Sequence, residues 1–408
     1  MVFRWLFLAG YGLFLLNLED AFGLQLMNPT TKSLLLMAGL VLVTTRQPIV
    51  PVLVLCSIMI GVSFVSACLT KNPDFSWALY ARSITQFIIP VLLVGAVPFE
   101  KDRDFLLRTA SWAPLFSVAI GAIYSLMGRG SIFALDYLYG VMRLQGSLIA
   151  AFLGGLALTG AFAAMQYAHL VNIRYLGVVA INLVIVLLTA ARMPIALSVL
   201  LCVASFYVGF RNALGLKIVG TVIGGLGAAA FLATFGEPLI TRFSSTHMSG
   251  REAMWDFLLL ALDQHRDFGV GFGHQPTIVP HEVFIQVNSY HAHNDYLRLA
   301  VELGFVPSII FFLLWLSVML CVWAHPRCGY NPILLLGTMG FAVLCITDNA
   351  LATTTHFPLL IITAVSCLRP HPDQAVVGES VRRLPSKQKN PGSLRASAAP
   401  VLTDEQAP

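Results

Sequence analysis

Between Ser289 and Gly304 the chain reads S-Y-H-A-H-N-D-Y-L-R-L-A-V-E-L-G, which sets two histidines, two carboxylates and an arginine directly before an apolar run. The H-N-D-Y-L-R-L spacing predicts a helix with Asn294 as N-cap and Asp295 as a first-turn carboxylate suited to the helix dipole. His293 then falls just ahead of that helix, where an imidazole could take a proton from a substrate hydroxyl. The same helix start favours an anionic ligand nearby.

Two arginines extend this chemistry. Arg192, in L-L-T-A-A-R-M-P, stands at a hairpin tip between two apolar runs. A guanidinium at that depth is costly unless it meets an anion or a water-filled cavity, although a snorkelling side chain would share the sequence. Arg251 opens M-S-G-R-E-A-M-W-D-F-L-L-L-A-L-D, Met248 to Asp263, which predicts a helix capped by Ser249 with Trp255 as an interfacial anchor. An amphipathic helix lying on the bilayer is the plainer alternative. Gly269, Gly271 and Gly273 follow in H-R-D-F-G-V-G-F-G and permit a tight turn, but no strand and helix frame a dinucleotide fingerprint. Arginines and a base gathered on one side of a membrane suit a pyrophosphate-linked lipid.

Metal binding is the rival reading, since His265, His274, His281, His291 and His293 lie close in sequence. H-E-V-F-I at His281 lacks the second histidine of the zinc-protease helix, and no cysteine assists. Neither a metal nor a cofactor is therefore expected. Solvent-facing loop histidines remain the alternative to both. With His293 as the base, His265 and His274 should tolerate replacement, and His291 has a support role.

The elements that must hold these residues are membrane helices. Of 408 residues 57% are apolar, and the mean hydropathy is +0.79, far above a soluble domain. Apolar runs fall near 3–18, 33–45, 49–70, 76–98, 106–127, 147–168, 175–190, 193–210, 217–235, 299–323, 331–346 and 351–368, which predicts an all-α, polytopic bundle of about 12 spans. The first run is read as an uncleaved span, not a signal peptide. Lysine and arginine set the orientation: with the N-terminus in the cytoplasm, 15 of the 25 basic residues fall inside. Arg192, Arg251 and His293 then lie outside. The basic balance is thus topology, not a nucleic-acid footprint, and the outer loops carry no cysteine. Residues 1–368 form the expected transmembrane domain with one long outer loop at 236–298; 369–408, rich in Pro, Ser, Gln, Lys and Ala, read as a disordered cytoplasmic tail.

H-A-H-N-D-Y-L-R-L-A-V-E-L-G resembles the signature of the O-antigen ligase and O-antigen polymerase (Wzy-type) superfamily, through His293, Asn294, Glu302 and Gly304. G-R-E-A-M-W with G-V-G-F-G resembles its second element (Gly250, Arg251, Trp255, Gly269, Gly271, Gly273), and T-A-A-R its first, which gives Arg192. The motifs cover about 190–305. R-L-Q-G-S-L, Arg143 to Leu148, lacks the family's Asn-Pro-Asn, so Arg143 carries over weakly; T-A-A-R-M-P also replaces the commoner Ser-Arg-Gly. The resemblance implies a GT-C-like, metal-independent, inverting glycosyltransferase of the bacterial inner membrane, its active site facing the periplasm and both termini cytoplasmic. Its donor would be a glycan on undecaprenyl pyrophosphate. His293 would be the base and Arg192 and Arg251 the pyrophosphate ligands, supported by Asn294, His291, Arg143 and Trp255. The acceptor would be a second lipid-linked glycan (a polymerase, the preferred reading, with a chain-length regulator as candidate partner) or a lipid A core (a ligase). A polysaccharide transporter and a non-catalytic assembly protein are the other classes; no broken-helix pair or repeat symmetry supports transport.

Overall fold

The computed structural model describes residues 1–24, 26–136, 140–244, 251–351 and 353–369. The tail expected at 369–408 lies outside them except for Arg369, as does the Ser249 cap.

Helices account for most of the chain, and each of the twelve apolar runs overlaps at least one. The first half holds α1 (Val2–Leu16), α2 (Leu18–Phe22), α3 (Met27–Thr45), α4 (Val50–Leu69), α5 (Trp77–Val94), α6 (Glu100–Leu126) and α7 (Ala150–Leu170). Then come α8 (Leu176–Leu188), α9 (Arg192–Gly209) and α10 (Leu214–Ser244). After α11 (Arg251–Gln264), α12 (His281–Val287) and α13 (Asp295–Leu303) come α14 (Phe305–Ala324), α15 (Pro332–Thr347) and α16 (Pro358–Cys367). Among the described residues, α4, α5, α6, α7, α9 and α14 are long and apolar enough to cross a bilayer. This is a helical membrane protein.

The organising helix is α7. Its apolar window is 89% buried, against 33–44% for the other five, and α6, α8, α9 and α16 pack around it. Gly154, Gly155, Ala157, Gly160, Ala161, Ala163 and Ala164 explain this, because small side chains let neighbouring backbones approach.

Four expectations are corrected. The all-α reading misses two small antiparallel ladders: β1 (Gln47–Pro48) with β2 (Ala96–Val97), and β3 (Phe133–Asp136) with β4 (Val141–Leu144). The run at 299–323 is two helices, broken where Gly304 takes φ +91°, a backbone conformation open to glycine. The helix of the 217–235 run continues to Ser244, past the expected start of the outer loop at 236. The last helix begins only at Pro358, so much of the apolar run at 351–368 is connection, not span.

The segment from α11 to α13 has its own apolar core: Met254, Leu258 and Ala261 of α11 pack with Val270, Val279, Ala292 and Val301, and Trp255 closes against them. The three glycines dock this unit on the membrane helices. Gly269, Gly271 and Gly273 all have positive φ, and a Cβ on Gly269 would meet the Glu302 backbone. Val270 and Gly271 donate N–H bonds to the Val301 and Glu302 carbonyls, each at 2.9 Å. Ser66 and Thr70 of the α4 end donate to the Phe268 and Gly269 carbonyls at 2.6 and 2.7 Å. The turn is a bracket for α13.

Candidate active site

Asn294 is the N-cap of α13: its side-chain oxygen accepts the Leu297 N–H at 3.0 Å. One residue earlier, His293 sits at φ +50°, a left-handed conformation that costs a non-glycine residue about 1 kcal/mol or more and recurs at functional sites. The fold thus holds His293 at the mouth of a rigid helix with its imidazole half-buried.

Asp295, Arg298 and Glu302, the other titratable residues of the opening stretch, turn inward from α13. Arg298 bonds Asp295 at 2.7 Å and Glu302 at 3.4 Å, and Asp295 also accepts the Leu351 N–H at 2.7 Å. Glu302 accepts the Gln275 N–H at 3.4 Å. This buried trio fastens α13 to the loop unit and to the connection before α16; it is framework.

That connection brings in two residues that sequence reasoning passed over. Asp348 places Oδ1 3.5 Å from His293 Nδ1 and Oδ2 3.6 Å from His356 Nε2. The remaining nitrogen of His293, Nε2, lies 3.2 Å from Ser289 Oγ, and His356 Nδ1 lies 2.9 Å from Thr355 Oγ1. Burial lowers the pKa of the His356 imidazole, against the pull of Asp348. For Asp348 burial acts upward, but the adjacent His356 and His293 bring the carboxyl below its ordinary range, so it is a carboxylate at neutral pH. His293 Nδ1, Asn349 Oδ1 and His356 Nε2 are buried polar atoms without a hydrogen-bond partner among the described residues. All three stand on or beside Asp348. Buried polar groups are normally satisfied, and catalytic hydrogen bonds are often long before substrate binds.

The arginines approach the same end. Arg251, at the start of α11, donates Nη1 to the Thr347 carbonyl at 2.6 Å, one residue before Asp348. Arg143 on β4 donates Nε to the Thr189 carbonyl at 2.8 Å and pairs with Asp136 at 3.4 Å. It therefore braces the T-A-A-R turn, in which Ala190 has φ +50° and the half-buried Arg192 begins α9. A Cβ on Gly154 of α7 would fall 2.8 Å from Ala191 Cβ, and one on Gly155 would strike His356 Nε2. Adjacent glycines of the central helix thus seat the Arg192 turn and the Asp348–His356 pair side by side. Nothing but glycine fits there.

The supporting residues resolve differently from one another. Trp255 donates Nε1 to the Ala292 carbonyl at 2.8 Å and packs partly buried against the loop core; it fixes the chain just before His293. His291 is exposed, and its backbone N–H donates to Ser289 Oγ at 3.0 Å. His274 is fully buried, accepts the Ser76 N–H on Nε2 at 2.8 Å and stacks on Phe75. The tolerance expected of a loop residue does not apply to it. The loop histidines are dispersed: among the described residues no group of three or more His, Cys, Asp or Glu side chains is arranged to hold a metal ion.

No curated protein matches the chain. A family model described as O-antigen ligase matches residues 177–313, which contain Arg192, Arg251, His293 and the glycine turn. Over that segment, which carries the H-N motif at the cap of α13 and the arginine turns beside it, the chain is similar to the O-antigen ligase family.

Proposed function

We propose that the chain transfers a glycan from undecaprenyl pyrophosphate to an acceptor hydroxyl at the end of the bundle that carries His293. The observation that carries this reading is the carboxylate Asp348 set between His293 and His356, with unsatisfied polar atoms around it. A carboxylate facing Nδ1 favours the tautomer protonated there and leaves Nε2 to accept a proton. The acceptor oxygen attacks the anomeric carbon and its proton passes to His293 Nε2. The bond from that carbon to the pyrophosphate oxygen breaks, and its electron pair leaves with the pyrophosphate. Arg251 and Arg192 hold this developing charge, and the displacement inverts the carbon. No metal or other cofactor takes part in this scheme.

The acceptor in this reading is a second lipid-linked saccharide, which makes the chain a polymerase. Transfer to a lipid A core is the second reading, favoured by the description of the matching family. Purified protein given lipid-linked donor with each acceptor in turn separates them: lengthened lipid-linked chains mean polymerase, and glycan on the core means ligase. In the same assay His293→Ala should abolish transfer while retaining membrane insertion, and EDTA should leave wild type active. Full activity of His293→Ala removes the base, and inactivation by EDTA restores a metal.

The active end faces the periplasm in this scheme, with both termini in the cytoplasm of an inner-membrane protein. Reporters fused after residue 245 and after residue 380 should give opposite-side signals; same-side signals overturn the orientation.

A further inference from the structure

A cavity of about 950 Å³ lies between α1 and α6, and the proposed glycan chemistry does not use it. We propose that it binds one anionic glycerophospholipid, taken from the leaflet at the end of the molecule that carries Arg4.

Its shape comes from two helices that run the same way. Arg4 meets Asp102 near the start of α6, and Tyr124 near the end of α6 donates to the Leu16 carbonyl at 2.6 Å. Arg4 to Leu16 spans about 18 Å at 1.5 Å per residue, close to the depth of one leaflet. The lining between is apolar and aromatic, open to the surrounding lipid.

The mouth is basic. Lys101 and Arg108 are exposed there. Arg4 shares a single carboxylate, Asp102, with Arg46, so that group keeps a net positive charge. Asp104 lines the mouth and pairs at 2.9 Å with Arg103, which Glu100 also approaches at 3.8 Å; that group offsets the charge of the first and leaves Lys101 and Arg108 as the excess. Basic pockets between membrane helices at a bilayer surface attract anionic headgroups.

Inside the cavity, Tyr11 supplies a second and independent indication. It is 3% exposed, lines the cavity, and its hydroxyl has no hydrogen-bond partner among the described residues. A buried hydroxyl in an apolar setting requires an acceptor. A hydrocarbon chain offers none; the ester and phosphate oxygens of a glycerophospholipid do. Charge at the mouth, acceptors in the middle and acyl chains below fit one class of molecule.

Native mass spectrometry of the purified full chain, titrated with phosphatidylglycerol or phosphatidylcholine, tests this. One phosphatidylglycerol should be retained at concentrations that leave the protein bare of phosphatidylcholine. The Lys101→Gln/Arg108→Gln pair should weaken that binding at least tenfold, and Tyr11→Phe by a few-fold. Equal retention of the two lipids, or a double variant that binds as wild type does, overturns the proposal. If the double variant does not fold, Trp112, which also lines the cavity, reports on the otherwise native chain. Phosphatidylglycerol brominated in its acyl chains should quench tryptophan fluorescence more than the brominated choline lipid, and Trp112→Phe should remove the difference. Equal quenching, or a difference that survives Trp112→Phe, overturns it as well.

Discussion

Asp102 and Asp348 are both carboxylates set among basic side chains, at opposite ends of the bundle, and they are built in opposite ways. Asp102 is fully buried and accepts from Arg4 Nε and Arg46 Nε, each at 2.7 Å. Every strong partner is in place, and the cluster ties α1, the end of α3 and α6 together. Asp348 has imidazoles at 3.5 and 3.6 Å, beyond good hydrogen-bond distance, with orphan polar atoms around it. A closed network is worth its desolvation cost only because it is complete. An open one lowers stability, and it persists where a ligand completes it.

The sharpest test of that contrast exchanges the two phenotypes. Asp348→Asn should cut glycan transfer about 100-fold or more, out of proportion to any loss of thermal stability in detergent, because it removes the charge that orients and stabilises the His293 imidazole. Asp102→Asn should leave activity per folded molecule unchanged and destabilise by about 3 kcal/mol or more, since two arginines then lose their counter-charge. An Asp348→Asn protein that is active but unstable would reverse the comparison.

The arginines come next in size. Arg251 and Arg192 are expected to hold pyrophosphate, and an ammonium cannot reproduce the planar fork of a guanidinium. Arg251→Lys and Arg192→Lys should each lower product formation in a complemented deletion strain about tenfold or more. Arg143→Lys should cost less, because Arg143 acts on the Arg192 turn through the Thr189 carbonyl. Full activity of both lysine variants at positions 251 and 192 would reduce their role to general positive charge.

The half of the site that was legible in the sequence is the half built by local rules. Asn294 could be read as a cap from its residue type and the helix pattern after it, which placed His293. The Arg251–Trp255 spacing gave one helix face, and charge at the T-A-A-R hairpin tip singled out Arg192. Asp348 and His356 were not legible because α13 and two apolar helices, α14 and α15, separate them in sequence from His293. Hydropathy also merged most of the connection at 348–357 into the run at 351–368, hiding His356 in what read as a span and leaving Asp348 in the short gap before it; an ionisable residue inside an apolar stretch was the available signal. His274 was misread for the converse reason, since nothing local says that a loop histidine will be buried beneath its own turn.

The smallest effect expected at the open end is its response to pH. His356 faces Asp348, Asp295 and His293, and burial still lowers its imidazole from the ordinary 6.5. Below that value the unfolded chain takes up the proton more readily than the folded one, so the stability that neutral His356 contributes is present above about pH 6.5 and fades as pH falls. Asp348 works in the same direction but in a separate window: its lowered carboxyl contributes above the ordinary 3.8 and is lost only below it. Between pH 7 and 5 the histidine therefore acts with Asp348 ionised throughout. The unfolding midpoint in detergent should drop by roughly 1–3 °C across that range from this residue alone, and His356→Gln should remove that part of the slope. At the closed end Asp102 is joined to two arginines and to no histidine, so Asp102→Asn should lower the whole curve without changing its slope between pH 7 and 5. If His356→Gln keeps the wild-type slope, the acid sensitivity belongs to another histidine, and the link between an unsatisfied Asp348 network and its cost in stability is lost.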